Sequence, residues 1–168
     1  MLTLVILFTS ISCKAQLGAY LNNINDTELF DGIKFNNVSL GDIMVASGDL
    51  TKMKDLFGNN IQKIPNNSGP YIGKELYNGN IVFGFEDETD TGNNYDLTDI
   101  TIRNSSVIVN VKGLSIRIGD DKSKFGSYLF NPNSNSYNFT DADTGSVGLS
   151  FQIDSITNKV TEIKFIAY

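Results

Sequence analysis

The sequence predicts an α+β fold: an antiparallel sheet with short helices, arranged as two unequal copies of a helix-plus-hairpin unit. Three observations predict it. Apolar residues recur at period two in short runs, clusters of Asn and Gly separate those runs, and matched landmarks appear in the same order in both halves of the chain. The runs cover residues 81–85 (IVFGF), 97–102 (LTDITI), 107–111 (VIVNV), 114–118 (LSIRI), 147–151 (VGLSF) and 160–165 (VTEIKF). Side chains two apart on a strand share a face, so runs of this kind rich in β-branched and aromatic residues are half-buried strands. The spacers NNIND, NNSG, NGN, GNN and NPNSNS read as turns, because Asn and Gly tolerate positive φ.

The repeat is legible as four landmarks. Residues 43–49 (IMVASGD) align with 114–120 (LSIRIGD), each an apolar run ending in Gly-Asp. Leu56-Phe57-Gly58-Asn59 then matches Leu129-Phe130-Asn131-Pro132, residues 81–85 match 147–151, and 97–102 match 160–165. After the first Gly-Asp, Leu50, Met53, Leu56 and Phe57 fall at helical spacing with Asp49 as N-cap. In the second copy Phe125, Tyr128 and Leu129 do the same, with Asp120 or Asp121 as cap.

The expected boundaries are an export signal over residues 1–16, a linker or arm over 17–36, a first unit over 37–104 and a second over 105–168. The signal rests on LTLVILFTSI, an uncharged apolar run from Leu2 to Ile11 that is shorter than the ~20 residues a membrane span requires. The Ser10-Ile11-Ser12-Cys13 that follows resembles a bacterial lipobox, and the resemblance implies cleavage before Cys13 and diacylation of its thiol. The competing reading is ordinary secretion, with cleavage after Ala15. A third is a buried strand with a free core cysteine.

Gly48-Asp49-Leu50-Thr51, Met53 and Leu56-Phe57-Gly58 resemble the helix of small envelope lipoproteins, namely the outer-membrane assembly lipoproteins and the tandem β-lactamase-inhibitor-protein-like fold. That resemblance implies a short helix before antiparallel strands, two such units in tandem, and protein binding on an exposed sheet face instead of catalysis.

Composition removes whole classes of chemistry. The chain has 168 residues and no histidine, so Ser-His-Asp and Cys-His nucleophile systems and His-ligated zinc are excluded. Cys13 is its one cysteine, so no internal disulfide forms, and stability must come from core packing. A formal charge of −6, with no basic stripe to neutralise phosphates, argues against a nucleic-acid partner.

Candidate sites are few. Residues 86–92 and the D-x-D-x-G at Asp141-Ala142-Asp143-Thr144-Gly145 offer alternating carboxylates for calcium, with Asp141 and Asp143 as ligands; hairpin-turn chemistry explains the same residues without a metal. Asp99 and Glu162 are aligned across the repeat and expected on the solvent face of their strands. Tyr71, Tyr77, Tyr95 and Tyr137 lie mostly outside the clean strand runs and are candidate partner-binding side chains, since tyrosine supplies amphipathic contact area at low entropy cost. The expected function is therefore non-enzymatic: an envelope lipoprotein, held to the membrane by its N-terminal lipid, that binds a protein partner. A narrower version is an inhibitor or immunity protein against a secreted enzyme or toxin. Alternatives of a different class are an enzyme of carboxylate type, with Asp99 and Glu162 as its pair, and a calcium-dependent carbohydrate-binding module.

Overall fold

The computed structural model describes residues 20–64, 72–87, 95–142 and 147–167. Among them, β1 (Leu21–Ile24), β4 (Gln62–Ile64), β5 (Ile72–Tyr77), β6 (Ile81–Asp87), β7 (Asp96–Ile102), β10 (Phe130–Asn131), β11 (Ser136–Asp141), β12 (Val147–Ile153) and β13 (Val160–Ala167) form a nine-stranded sheet. Its order is β1-β11-β12-β13-β7-β6-β5-β4, with β10 sharing the outer edge of β11. Every pairing is antiparallel except β1 with β11. A smaller sheet orders β2 (Lys34–Phe35), β3 (Val38–Ser39), β8 (Val109–Val111) and β9 (Leu114–Ile116) as β3-β2-β8-β9. The α+β expectation holds.

The connecting helices start where the sequence supplies caps. Helix α1 (Leu40–Ala46) begins at Ser39, whose Oγ accepts from the Asp42 amide at 3.1 Å, and α2 (Leu50–Phe57) begins at Asp49, whose Oδ1 accepts from the Lys52 amide at 2.9 Å. Each bond satisfies an amide that the first helical turn leaves without a partner, worth about 1 kcal/mol. Between the helices Ser47 and Gly48 both have positive φ (50° and 65°), and a Cβ on Gly48 would lie 3.1 Å from Cγ of Phe85. The second Gly-Asp differs: Gly119 has φ 90°, but the cap is the next residue, Asp121, which accepts from the Ser123 amide at 2.9 Å, and it opens a 3-10 turn, Lys122–Phe125, that ends before Tyr128 and Leu129, where the spacing predicts a helix. Asp120 instead accepts from the Arg117 amide and from Lys124 Nζ, at 3.0 and 2.9 Å.

The other half of this landmark differs. Residues 43–46 belong to a helix and residues 114–116 to a strand, so the apolar runs before the two Gly-Asp pairs are not equivalent elements.

The matched hairpins are equivalent in register once one alignment is moved by two residues. In β6–β7, Gly84 faces Asp99 and Phe85 faces Leu97, which leaves Thr98 as the extra residue of a bulge. In β12–β13, Gln152 faces Glu162 and Ile153 faces Val160, which leaves Thr161. With the two bulges superposed, residues 81–85 fall in register with 149–153, two residues from the expected 147–151, and 97–102 with 160–165. Where β7 meets β13, Ile163 faces Ile102 and Phe165 faces Ile100, and Lys164 faces Thr101, its own aligned counterpart. Exchanging the two hairpins therefore maps this junction onto itself.

The segment expected as a linker or arm over 17–36 is built into the fold from residue 20 onward. Ile24, Leu29, Ile33 and Phe35 are buried in the core, and β1 is bound to β11. The side chain of Asn22 fixes this strand: its Nδ2 donates to the carbonyls of Leu129 and Asn138, each at 3.1 Å, and its Oδ1 accepts from the Leu129 amide at 2.8 Å. Then Asn25 Oδ1 accepts from the Glu28 amide while a Glu28 carboxylate oxygen accepts from the Asn25 amide, a reciprocal capping box opening the π turn Glu28–Gly32.

One apolar cluster joins the inner face of the large sheet to everything else. Phe83, Phe85, Ile100, Phe139, Leu149, Phe151, Ile163 and Phe165 from the sheet share it with Leu40, Ile43, Met53, Phe35, Val109 and Phe125 from the helices, small sheet and 3-10 turn. Phe125 stacks on Tyr137 at 4.0 Å and meets the edge of Phe151 at 5.2 Å. Burial of this kind removes apolar surface from water at about 25 cal/mol per Å².

Candidate functional site

Because the core uses one face of the large sheet, the opposite face of the same strands is left to solvent. Register places its side chains in continuous rows. One row runs Tyr77, Val82, Thr101, Lys164, Ser150, Asn138, Leu21 across seven strands, and the next runs Glu75, Gly84, Asp99, Ile166, Gly148, Thr140, Asn23. Of these, Val82 and Gly84 are buried, while most of the rest are half-buried.

The second row is low because two of its positions have no side chain. At Gly84 the Asp99 carboxylate leans into the space a Cβ would need, with Oδ2 2.1 Å from that point. At Gly148 a Cβ would meet only the Phe139 carbonyl and the Thr140 methyl, both at 3.7 Å. Two concavities open on this face, on either side of Lys164 and Ile166. One of about 460 Å³ is lined by Glu86, Thr98, Asp99 and Thr101, and one of about 220 Å³ by Leu21, Thr140, Gly148 and Ser150. Both are open to solvent, unlike the enclosed, mostly apolar clefts that hold small ligands.

The face is divided electrostatically. Glu75, Glu86, Asp99 and Glu162 project from β5, β6, β7 and β13, whereas the exposed positions of β11 and β12 are Ser, Thr, Asn, Gln and Gly. Lys164 stands on the boundary. None of these five charged groups forms an ion pair with a described residue; the three ion pairs among the described residues are Lys112–Glu28, Arg117–Asp120 and Lys124–Asp120. Asp99 and Glu162 share the outer face, as expected, but do not face each other. Asp99 lies opposite Ile166 and Glu162 opposite Gln152, about 13 Å apart along the strand direction.

The tyrosines divide. Tyr77 is 37% exposed and ends the first row, with its hydroxyl donating to the Gly79 carbonyl at 3.2 Å. Tyr95 and Tyr137, expected as partner-binding side chains, are core residues at 6% and 7% exposure. Tyr95 is tied by its backbone to the Ser47 hydroxyl, and Tyr137 is held between Phe125 and Phe130; burial pushes its phenol above the usual tyrosine range. Tyr71 lies outside the described residues, as do Cys13 and Asp143. Asp141 ends β11 as a buried residue opposite Ile24. Among the described residues no group of three Asp, Glu, His or Cys side chains could hold a metal ion, and no helix is long and apolar enough to cross a membrane.

The strand that buries Tyr137, Ser136-Tyr137-Asn138-Phe139-Thr140-Asp141, alternates aromatic residues with Asn and Thr and so resembles turn composition. The alternation itself, Tyr137 with Phe139, was the signal. The open face has no sequence signature, because its rows are formed across strands distant in sequence. Comparison with protein families, characterised proteins and solved structures finds no match for this chain.

Proposed function

We propose that this chain is an exported envelope lipoprotein, anchored through Cys13, that binds a protein partner on the open face of its large sheet without catalysing a reaction. The observation that carries the reading is the one-sided burial: a row of mixed polar and apolar, mostly half-buried side chains crosses seven strands on the face away from the core, with shallow concavities beside Lys164. A broad, shallow, partly apolar surface suits a folded partner better than a small molecule. The mixed polar and apolar composition of the face supports a binding role. The self-mapping junction of β7 with β13, and the bulges at Thr98 and Thr161, support reading the two hairpins as copies of one unit. The acidic half of the face favours a narrower version, in which the partner is a secreted enzyme or toxin with a basic cleft.

Site-specific photocrosslinking tests the binding surface. A photoreactive residue at Ser150 or Thr101 should capture one discrete protein in intact cells, a probe at exposed Asp55 on α2 should not, and Gly148→Ala should reduce capture at Ser150 about fivefold by filling the concavity. Equal labelling from Ser150 and Asp55, or none from either, would remove the reading.

A further inference from the structure

We infer that the end of the large sheet from which β1 starts is a membrane-docking edge, placing Ile156 and the Lys122/Lys159 pair against an anionic lipid surface. The inference rests on the anchoring reading above and adds an orientation to it.

Strand direction locates the edge. β1 runs parallel to β11, with Leu21 opposite Asn138, so the chain enters β1 from the side where β11 begins and β12 ends. The β12–β13 turn, residues 154–159, lies at that end. Cys13 is seven residues before Tyr20, a reach of at most about 25 Å even when fully extended. A lipid on Cys13 would therefore hold this end near the bilayer at high effective concentration.

The turn presents a surface suited to that position. Ile156 is 89% exposed, the highest value among the exposed large apolar residues described. The turn beneath it is held firmly: Asp154 Oδ1 accepts from the Ile156 amide, the Thr157 amide and the Thr157 hydroxyl at 3.1, 2.7 and 2.9 Å. The 3-10 turn docks alongside through the Lys122 amide, which donates to the Asn158 carbonyl at 2.9 Å, and through a backbone β-bridge between Asp121 and Lys159. Lys122 and Lys159 are exposed, and neither forms an ion pair with a described residue. Lysines beside an exposed aliphatic side chain match a bilayer surface, where the charge meets anionic headgroups and the aliphatic group enters the acyl boundary. In a chain of charge −6, this corner is balanced, with Arg117, Lys122, Lys124 and Lys159 against Asp120, Asp121, Asp154 and Glu162.

The test uses the mature, acylated protein in phosphatidylethanolamine/phosphatidylglycerol vesicles, with a nitroxide attached through Ile156→Cys or through Asp96→Cys at the opposite end of β7. The Cys13 sulfur is then a thioether and takes no label. The ratio of collision with oxygen to collision with an aqueous nickel chelate should be about threefold or more higher at 156 than at 96, and Lys122→Gln with Lys159→Gln should bring the two together. Equal ratios in the membrane-bound, acylated protein overturn the docking edge alone. A protein that is not acylated and floats with no vesicle overturns the anchoring reading and this inference with it.

Discussion

Two glycines on one face show how a single missing side chain can have opposite meanings. Gly84 sits at a bulge, and the Asp99 carboxylate occupies the volume of its absent Cβ. Gly148 lies in regular antiparallel pairing, with open groove above it. Gly148→Ala is therefore expected to leave urea stability unchanged or raised by about 0.5 kcal/mol, since Ala restricts the unfolded chain and makes only ordinary contacts. Gly84→Ala should lower it by about 1 kcal/mol, because Asp99 must swing into the 460 Å³ concavity. Equal effects in equilibrium denaturation would show that the two positions are equivalent after all. Asn22 teaches a related point: Asn in a turn-like cluster reads as a turn former, yet its amide is a buried clamp between β1, β10 and β11 that becomes visible only when Leu129 is brought beside it.

At the scale of elements, the apolar spacing inside the strands carries more than alternation. Leu97, Ile100 and Ile102 are spaced three then two, and Val160, Ile163 and Phe165 repeat that spacing. A perfect strand would put the first of each trio on the wrong face; the bulges at Thr98 and Thr161 absorb the extra residue, and all six side chains reach the core. Deleting Thr98 should preserve both faces and cost about 1–2 kcal/mol. Deleting Thr101, three residues away, turns Ile102 toward solvent or Ile100 out of the core and should cost at least about 3 kcal/mol. Thermal unfolding of the two deletion variants compares them directly. The helix caps at Asp49 and Asp121 and the box between Asn25 and Glu28 are local patterns within three residues, and each is recognisable before any fold is known.

For the whole molecule, electrostatics sets the pH range of stability. The Lys112 ammonium, the Asn25 amide and nearby charge hold Glu28 below its ordinary value of 4.5. Asp120 is raised by burial, but Lys124, the Arg117 amide and both cations outweigh this and leave it below 3.8. Amide and hydroxyl donors from Ser123 and Thr157 lower Asp121 and Asp154 in the same direction. A carboxylate with a depressed folded pKa adds stability above its unfolded value, and that stability is lost as pH falls through the folded value. Tyr137 has the opposite sign: its raised phenol contributes below its ordinary value of 10.0, and the contribution fades as pH rises through the folded value. With no histidine, the urea midpoint should be level from about pH 5.5 to 8 and fall only below about 4.5 and above about 10. A midpoint that changes steeply near pH 6.5 would contradict this account.

Local periodicity and short-range hydrogen bonding encode the one-sided strands and the caps at Asp49 and Asp121, and composition alone removes histidine chemistry. Which strands become neighbours is set by long-range packing. Pairing β7 with β13, inserting β1 parallel to β11 from a segment that looks like a linker, and burying Tyr95 and Tyr137 all depend on contacts between residues far apart in the chain. Alternation tells a strand which side is apolar, but an antiparallel ladder offers the same backbone donors and acceptors to any partner. The choice among partners is made by the joint burial of one core, and the open face with its glycine-floored groove is what that choice leaves uncovered.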